Sequence, residues 1–261
     1  GYEQELSVRY AVFDSNLVST STPALLAETP SSHPHVVPTS FGWMMAYQLG
    51  LGQSIEIADF GDDGVLRRPA RIVDEPGDGE VRWPDVVPTE NNKGVLTWYT
   101  RDFSDDDARY NLQVFNTATQ RSIADAWIDV GDDTTGGPPA LSGLPGGQFV
   151  VAWAERFENT GVINASLFEE SGAGAQSTEI EVAQGTQGYS RPQVDMHEDG
   201  GFAVVWRDHT DDAIGLGSWL RFYDAGGSPK VAAITLDSNG SGDKPVVIVD
   251  NDLTMVAWQE S

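Results

Sequence analysis

The stretch Pro192-Gln-Val-Asp-Met-His-Glu-Asp-Gly-Gly-Phe-Ala-Val-Val-Trp206 decides the fold. Pro192 to Met196 reads as a short β-rich strand, Glu198-Asp-Gly-Gly201 as a turn, and Phe202 to Trp206 as an apolar strand ending on an aromatic ring. The segment is a hairpin, and it recurs. Pro139-Ala-Leu leads through Leu144-Pro-Gly-Gly to Phe149-Val-Val-Ala-Trp153, and Pro84-Asp-Val-Val leads to Val95-Leu-Thr-Trp98. Weaker copies run from Pro34-His-Val-Val to Trp43-Met-Met-Ala-Tyr47 and from Pro245-Val-Val-Ile to Leu253-Thr-Met-Val-Ala-Trp258. The leading residues Pro34, Pro84, Pro139, Pro192 and Pro245 recur about every 50 to 55 positions, a period that marks a modular β architecture.

Each hairpin is followed by a third strand closing on an aromatic residue: Ile55 to Phe60, Leu112 to Phe115, Ser166 to Phe168 and Trp219 to Tyr223. A more polar fourth strand comes next, as in Glu179-Ile-Glu-Val182 and Val231-Ala-Ala-Ile-Thr235. Four antiparallel strands per repeat make one propeller blade. The pattern therefore predicts an all-β, five-bladed β-propeller forming a single domain over residues 1–261, with blades near 33–82, 83–137, 138–190 and 191–243 and a composite blade from 244–261 plus 1–32. In that composite, Tyr10-Ala-Val-Phe13 supplies the third strand and Leu25-Leu-Ala-Glu the fourth, a two-plus-two closure that hides strand edges.

The Pro-x-Val and Gly-Gly-Phe-x-Val-x-Trp units resemble the repeats of large secreted bacterial proteins, including RTX-type adhesins. The resemblance covers nearly the whole chain and implies a secreted or cell-surface location, monomeric or within a larger chain. The opening Gly-Tyr-Glu-Gln, without an initiator Met, is expected for a mature or excised form.

Composition narrows the partners. Forty Asp and Glu against 15 Lys and Arg give a net charge of −25, which opposes binding to nucleic acid. Only Lys93, Lys230 and Lys244 are lysines, a balance that resembles proteins of salty habitats. There is no Cys, so disulfide and thiolate chemistry are excluded, and no apolar run approaches the about 18 residues a membrane helix needs. Eight Trp, ten Phe and seven Tyr supply a core, into which Trp98, Trp153, Trp206 and Trp258 are expected to pack between blades.

In a four-strand meander the two-to-three and four-to-one connections share a face. Here they are the longer, more varied connections, so that face is expected to carry function. Glu155, Asp208 and Glu260 each follow a strand-ending Trp by two residues and in a ring would converge on its axis, where hard oxygens suit Ca²⁺. The same acids, with Asp85, are candidates for acid and base roles, and His209 beside Arg207 is a further catalytic candidate. His33, Trp83, Pro138, Arg191 and Lys244 stand just before the first strands. Trp83, flanked by Arg101, Arg156, Arg191, Arg207, Glu260 and His35, is an expected sugar-stacking platform. His33 and His35 would hold a metal only with ligands from elsewhere, and the Asp-rich runs match no calcium-loop pattern.

Three functions remain. The foremost is an extracellular carbohydrate-binding or adhesion module recognising a glycan, as tachylectin-like five-bladed lectins do, although the loops here differ from blade to blade. The second is a polysaccharide-active glycosidase or lyase, as in five-bladed arabinanases. The third is a structural or assembly domain without a ligand.

Overall fold

In the computed structural model the described residues are 7–13, 16, 24–26, 31–75, 79–89, 92–104, 108–129, 137–157, 160–169, 179–186, 191–208, 217–237, 242–250 and 253–260. Among the described residues two short N-terminal strands, β1 (Arg9–Tyr10) and β2 (Ala24–Leu25), pair only with each other. The first blade comprises β3 (Ser31–Thr39), β4 (Gly42–Leu49), β5 (Ser54–Phe60) and β6 (Arg71–Asp74). The second comprises β7 (Gly79–Pro88), β8 (Lys93–Asp102), β9 (Ala108–Asn116) and β10 (Arg121–Asp129). The third holds β11 (Ala140–Gly143), β12 (Gln148–Phe157), β13 (Thr160–Glu169) and β14 (Glu179–Thr186). The fourth holds β15 (Gln193–Met196), β16 (Phe202–Asp208), β17 (Gly217–Tyr223) and β18 (Ile234–Thr235). A last hairpin pairs β19 (Gly242–Asp250) with β20 (Leu253–Glu260).

The turn chemistry accounts for these boundaries. The Asp199 carboxylate accepts the Gly201 amide at 2.8 Å while Gly200 takes φ +86°, a conformation that a Cβ disfavours. Asp224 repeats the device between third and fourth strands, accepting the Gly226 and Ser228 amides at 3.0 and 2.8 Å. Such turns return each strand beside its predecessor, so every blade is an antiparallel meander.

Blades pack face to face because their central strands are apolar on both sides. Leu96 and Trp98 of β8 join the core shared with Met44 and Ile57 of the first blade. Their neighbours Val95 and Tyr99 point the other way, into the core with Val151 and Trp153 of the third. Val150 and Ala152 in turn meet Val204 and Trp206 of the fourth. Trp98, Trp153 and Trp206 are buried between blades, as their position at the end of apolar strands predicts, but Trp258 is partly exposed.

The inner strands are pinned in sequence by side chains that reach a neighbour's backbone. Asp85 of β7 accepts the Leu141 amide of β11 at 2.9 Å, and the Ser142 hydroxyl accepts the Met196 amide of β15 at 3.1 Å. These bonds occupy amides that within-blade pairing leaves open.

Five blades and a two-plus-two closure do not form. The described residues contain four four-stranded blades, and the two terminal half-sheets stay apart. The strands expected near Tyr10 and Leu25 exist, but they pair with each other in the register Arg9 to Leu25 and Tyr10 to Ala24. β1–β2 is held on the first blade, where Val8 packs with Met45, Tyr47 and Phe60. β19–β20 is held on the fourth, where Val247 packs with Ala203, Val205 and Leu220. Each half-sheet thus satisfies its apolar face on a different end of the stack.

Candidate functional site

The inner strands share an irregularity that repeats with the blades. His33, Trp83 and Lys244 take φ of +52, +54 and +51°, each directly before a proline. At the same points the pairing register slips, between Ser32 and His35, Arg82 and Asp85, and Asp243 and Val246. These are β-bulges, which re-aim side chains and commonly border binding sites. A non-glycine residue in this region costs about 1–3 kcal/mol, a cost recovered elsewhere in the packed blade.

The bulges bring cationic and aromatic groups together at one end of the inner strands. The rings of Trp83 and Tyr99 lie 5.4 Å apart, and those of Tyr99 and Tyr110 lie 5.8 Å apart. Arg82 stands over the Trp83 ring at 5.8 Å and pairs with Glu80 at 2.5 Å. Burial lowers the pKa of His33, and the charges of Arg191 and then Arg82 lower it further, so the ring is held neutral. Arg191, from the fourth repeat, therefore acts electrostatically on a histidine of the first. Burial raises the Tyr110 pKa, helped by Tyr99 and Glu155, and its hydroxyl donates to the Gly137 carbonyl at 2.8 Å.

His35 is engaged beside this cluster rather than in it. Its Nδ1 lies 2.5 Å from Asp85 Oδ1 and 3.2 Å from the Val86 amide nitrogen. One ring nitrogen cannot donate to the first and accept from the second. Burial works against charge on His35, but the hydrogen bond and charge of Asp85 outweigh it and raise the pKa, favouring the donating form. Asp85, expected as a catalytic acid, thus joins His35 to the Leu141 amide.

The expected carboxylate ring lies partly outside the described residues. Glu155 accepts the Trp153 indole N–H at 2.5 Å, Asp208 closes β16, and the Glu260 side chain lies outside the described atoms. Among the described residues no group of three or more His, Asp or Glu is placed to hold a metal, so the Ca²⁺ expectation gains no support. Arg207 pairs with Asp243 at 2.8 Å; burial raises the Asp243 pKa, but the Arg207 charge and the Lys244 amide bring it down. Arg101 lies over the Phe103 ring at 6.0 Å and stands opposite Glu80 in the strand register. His209 and the Arg156 side chain fall outside the described residues. Of the expected ligand set, Trp83 and Arg191 stay with the cluster. Arg82 joins it without having been singled out, and Trp83 rests on the buried Tyr99 and Tyr110, though the aligned position before each inner-strand proline pointed to the place.

No family model and no curated protein matches the chain. Among solved structures it is similar to a polysaccharide lyase of family PL25, an ulvan lyase bound to -[GlcA(1-4)Rha3S]-, at 12% identity and a TM-score of 0.66, covering 98% of this chain and 68% of that one. The same lyase without the sugar matches equally. An endo-arabinase from Bacteroides thetaiotaomicron VPI-5482 matches at 12% identity and a TM-score of 0.47, over 98% of this chain and 89% of that one. The lyase likeness is one of fold. The expected resemblance to RTX-type adhesin repeats and the five blades are overturned: the chain folds as a four-bladed propeller, and the fold it matches at a TM-score of 0.66 is that of a polysaccharide lyase.

Proposed function

We propose that this chain is an extracellular glycan-recognition propeller whose ligand is an acidic polysaccharide bound at the bulged end of the inner strands. The observation that carries the reading is the grouping of Trp83 with Arg82, Arg191 and a neutral His33 in a chain of net charge −25. Cations gathered against such a background suit uronate or sulfate groups, and an indole suits the apolar face of a sugar ring. The bulges support the same place, since they hold His33 and Trp83 in costly backbone conformations at equivalent positions. A secreted or surface location follows from the class of ligand.

A second reading has one specific observation in its favour. A histidine kept neutral by neighbouring guanidinium groups is in the form a base requires. In a uronate β-elimination, His33 would take the C5 proton while Arg191 pairs with the carboxylate. The C5 electron pair forms the C4=C5 bond as the C4–O bond breaks, and the departing oxygen takes a proton from solvent.

A glycan array containing uronate-bearing, sulfated and neutral polysaccharides tests both. Binding restricted to the acidic members and weakened by Arg191→Ala supports recognition; binding to neutral members alone, or to none, overturns it. Release of unsaturated uronate that stops with His33→Gln establishes the elimination reading.

A further inference from the structure

The stack ends in two apolar faces of opposite kind. At one end, β19–β20 turns Val247 toward the fourth blade and its alternate residues outward, so that Ile248 is 60%, Leu253 77% and Met255 66% exposed. Met255 precedes Trp258 by the same interval at which Ala203 precedes Trp206, and Ala203 is covered by the blade that follows it. The outward face of β19–β20 is thus built like a surface that receives a following blade. At the other end, Trp43 is 43% and Phe13 59% exposed. With Tyr10, Met45 and Phe60 they line a cavity of about 420 Å³ beside β1. Trp43 and Met45 precede Tyr47 as Phe202 and Val204 precede Trp206, and Phe202 and Val204 pack on the blade before them. This face is built like one that receives a preceding blade; β1–β2 already covers its Met45 side, and the cavity is the part left uncovered.

We propose that the two faces bind each other between copies of this chain, the β19–β20 hairpin of one copy seating in the cavity beside β1 of the next. The contact continues the interface already present between every pair of blades in the stack, with the same alternation of aliphatic and aromatic residues. Among the described residues β20 pairs only with β19 and β1 only with β2, so strand addition supplements side-chain burial. Because the joined surfaces differ, the contact is heterologous and propagates head to tail, closing into a ring or extending as a filament. A charge of −25 on each copy opposes the contact, so added salt strengthens it.

Sedimentation velocity of the whole chain over about a hundredfold range of concentration reads this directly. The wild type is expected to shift from monomer to larger species, more so at high salt. Met255→Glu and Trp43→Glu, both at exposed positions, are each expected to remain monomeric alone and to form a one-to-one dimer when mixed, since each retains the face the other lacks. A wild type that stays monomeric throughout overturns the proposal. So does self-association of either variant alone, which would mark a like-with-like contact. A monomer whose melting temperature falls on Met255→Glu would place the molecule's own surface against that face and equally overturn it. None of these outcomes depends on glycan binding.

Discussion

Asp195 Oδ2 accepts the Val249 amide at 2.7 Å, and its Oδ1 accepts the Ser142 hydroxyl at 2.8 Å, so one carboxylate ties together the inner strands β11, β15 and β19. Neither partner is close in sequence. The bond to Val249 fastens the last hairpin to the fourth blade together with the Arg207–Asp243 pair and apolar packing. Replacing Asp195 by Ala leaves an amide and a hydroxyl without their acceptor, at a cost of roughly 2–3 kcal/mol. Urea unfolding should show this loss, with Asp195→Asn intermediate because one carbonyl oxygen remains.

His35 gives the fold a pH dependence of definite sign. Its folded pKa is raised above the unfolded value, so its contribution to stability is full below about pH 6.5 and is lost as pH rises through the raised pKa. The gap in melting temperature between wild type and His35→Gln should therefore shrink from acid to alkaline solution. His33, whose pKa is lowered, acts in the opposite sense but cancels in this difference. A gap that stays constant with pH would mean that the Asp85 contact does not depend on imidazolium.

Gly42 opens β4 at φ +124°, and a Cβ there would sit 2.2 Å from the Phe60 carbonyl oxygen. Both the dihedral and the backbone clash oppose any larger residue. Gly42→Ala should cost more than about 2 kcal/mol, whereas Gly146→Ala, whose Cβ would meet nothing within 4 Å, should be close to neutral. Calorimetric melting of the two variants makes the comparison.

Arg191 is exposed, so binding is measurable there apart from folding, whereas Trp83 also packs on the core with Tyr99 and Tyr110, and its variants need a melting control. Arg191→Ala should weaken an acidic glycan by roughly tenfold and flatten the salt dependence of its affinity. Trp83→Ala should cost about as much, while Trp83→Phe keeps a ring face and recovers part of it. Titration calorimetry at two ionic strengths distinguishes the charge from the stacking contribution.

Much of the blade was legible beforehand. Strands such as Phe202 to Trp206 and turns such as Glu198-Asp-Gly-Gly201 are specified by alternation and by Gly and Asp at fixed offsets, both local signals. Trp153 and Trp206 declared themselves as packing residues because they end runs apolar on both faces. The candidate site was legible only as a row of aligned positions, His33, Trp83, Pro138, Arg191 and Lys244. That Trp83 would gather Arg82 and Tyr99, or that Arg207 would be taken by Asp243, depends on bulge geometry that no spacing encodes.

The amino-acid sequence by itself determined the repeat, the antiparallel order within each blade and the residues that face its neighbours, because pairing across short turns involves residues close along the chain. Only the tertiary structure decided how many blades are complete and where the end strands go. β1 and β20 have matching patterns, but whether they pair depends on the angle accumulated over five packed interfaces. Here Val8 finds its burial on the first blade and Val247 on the fourth, and among the described residues β1 and β20 do not pair.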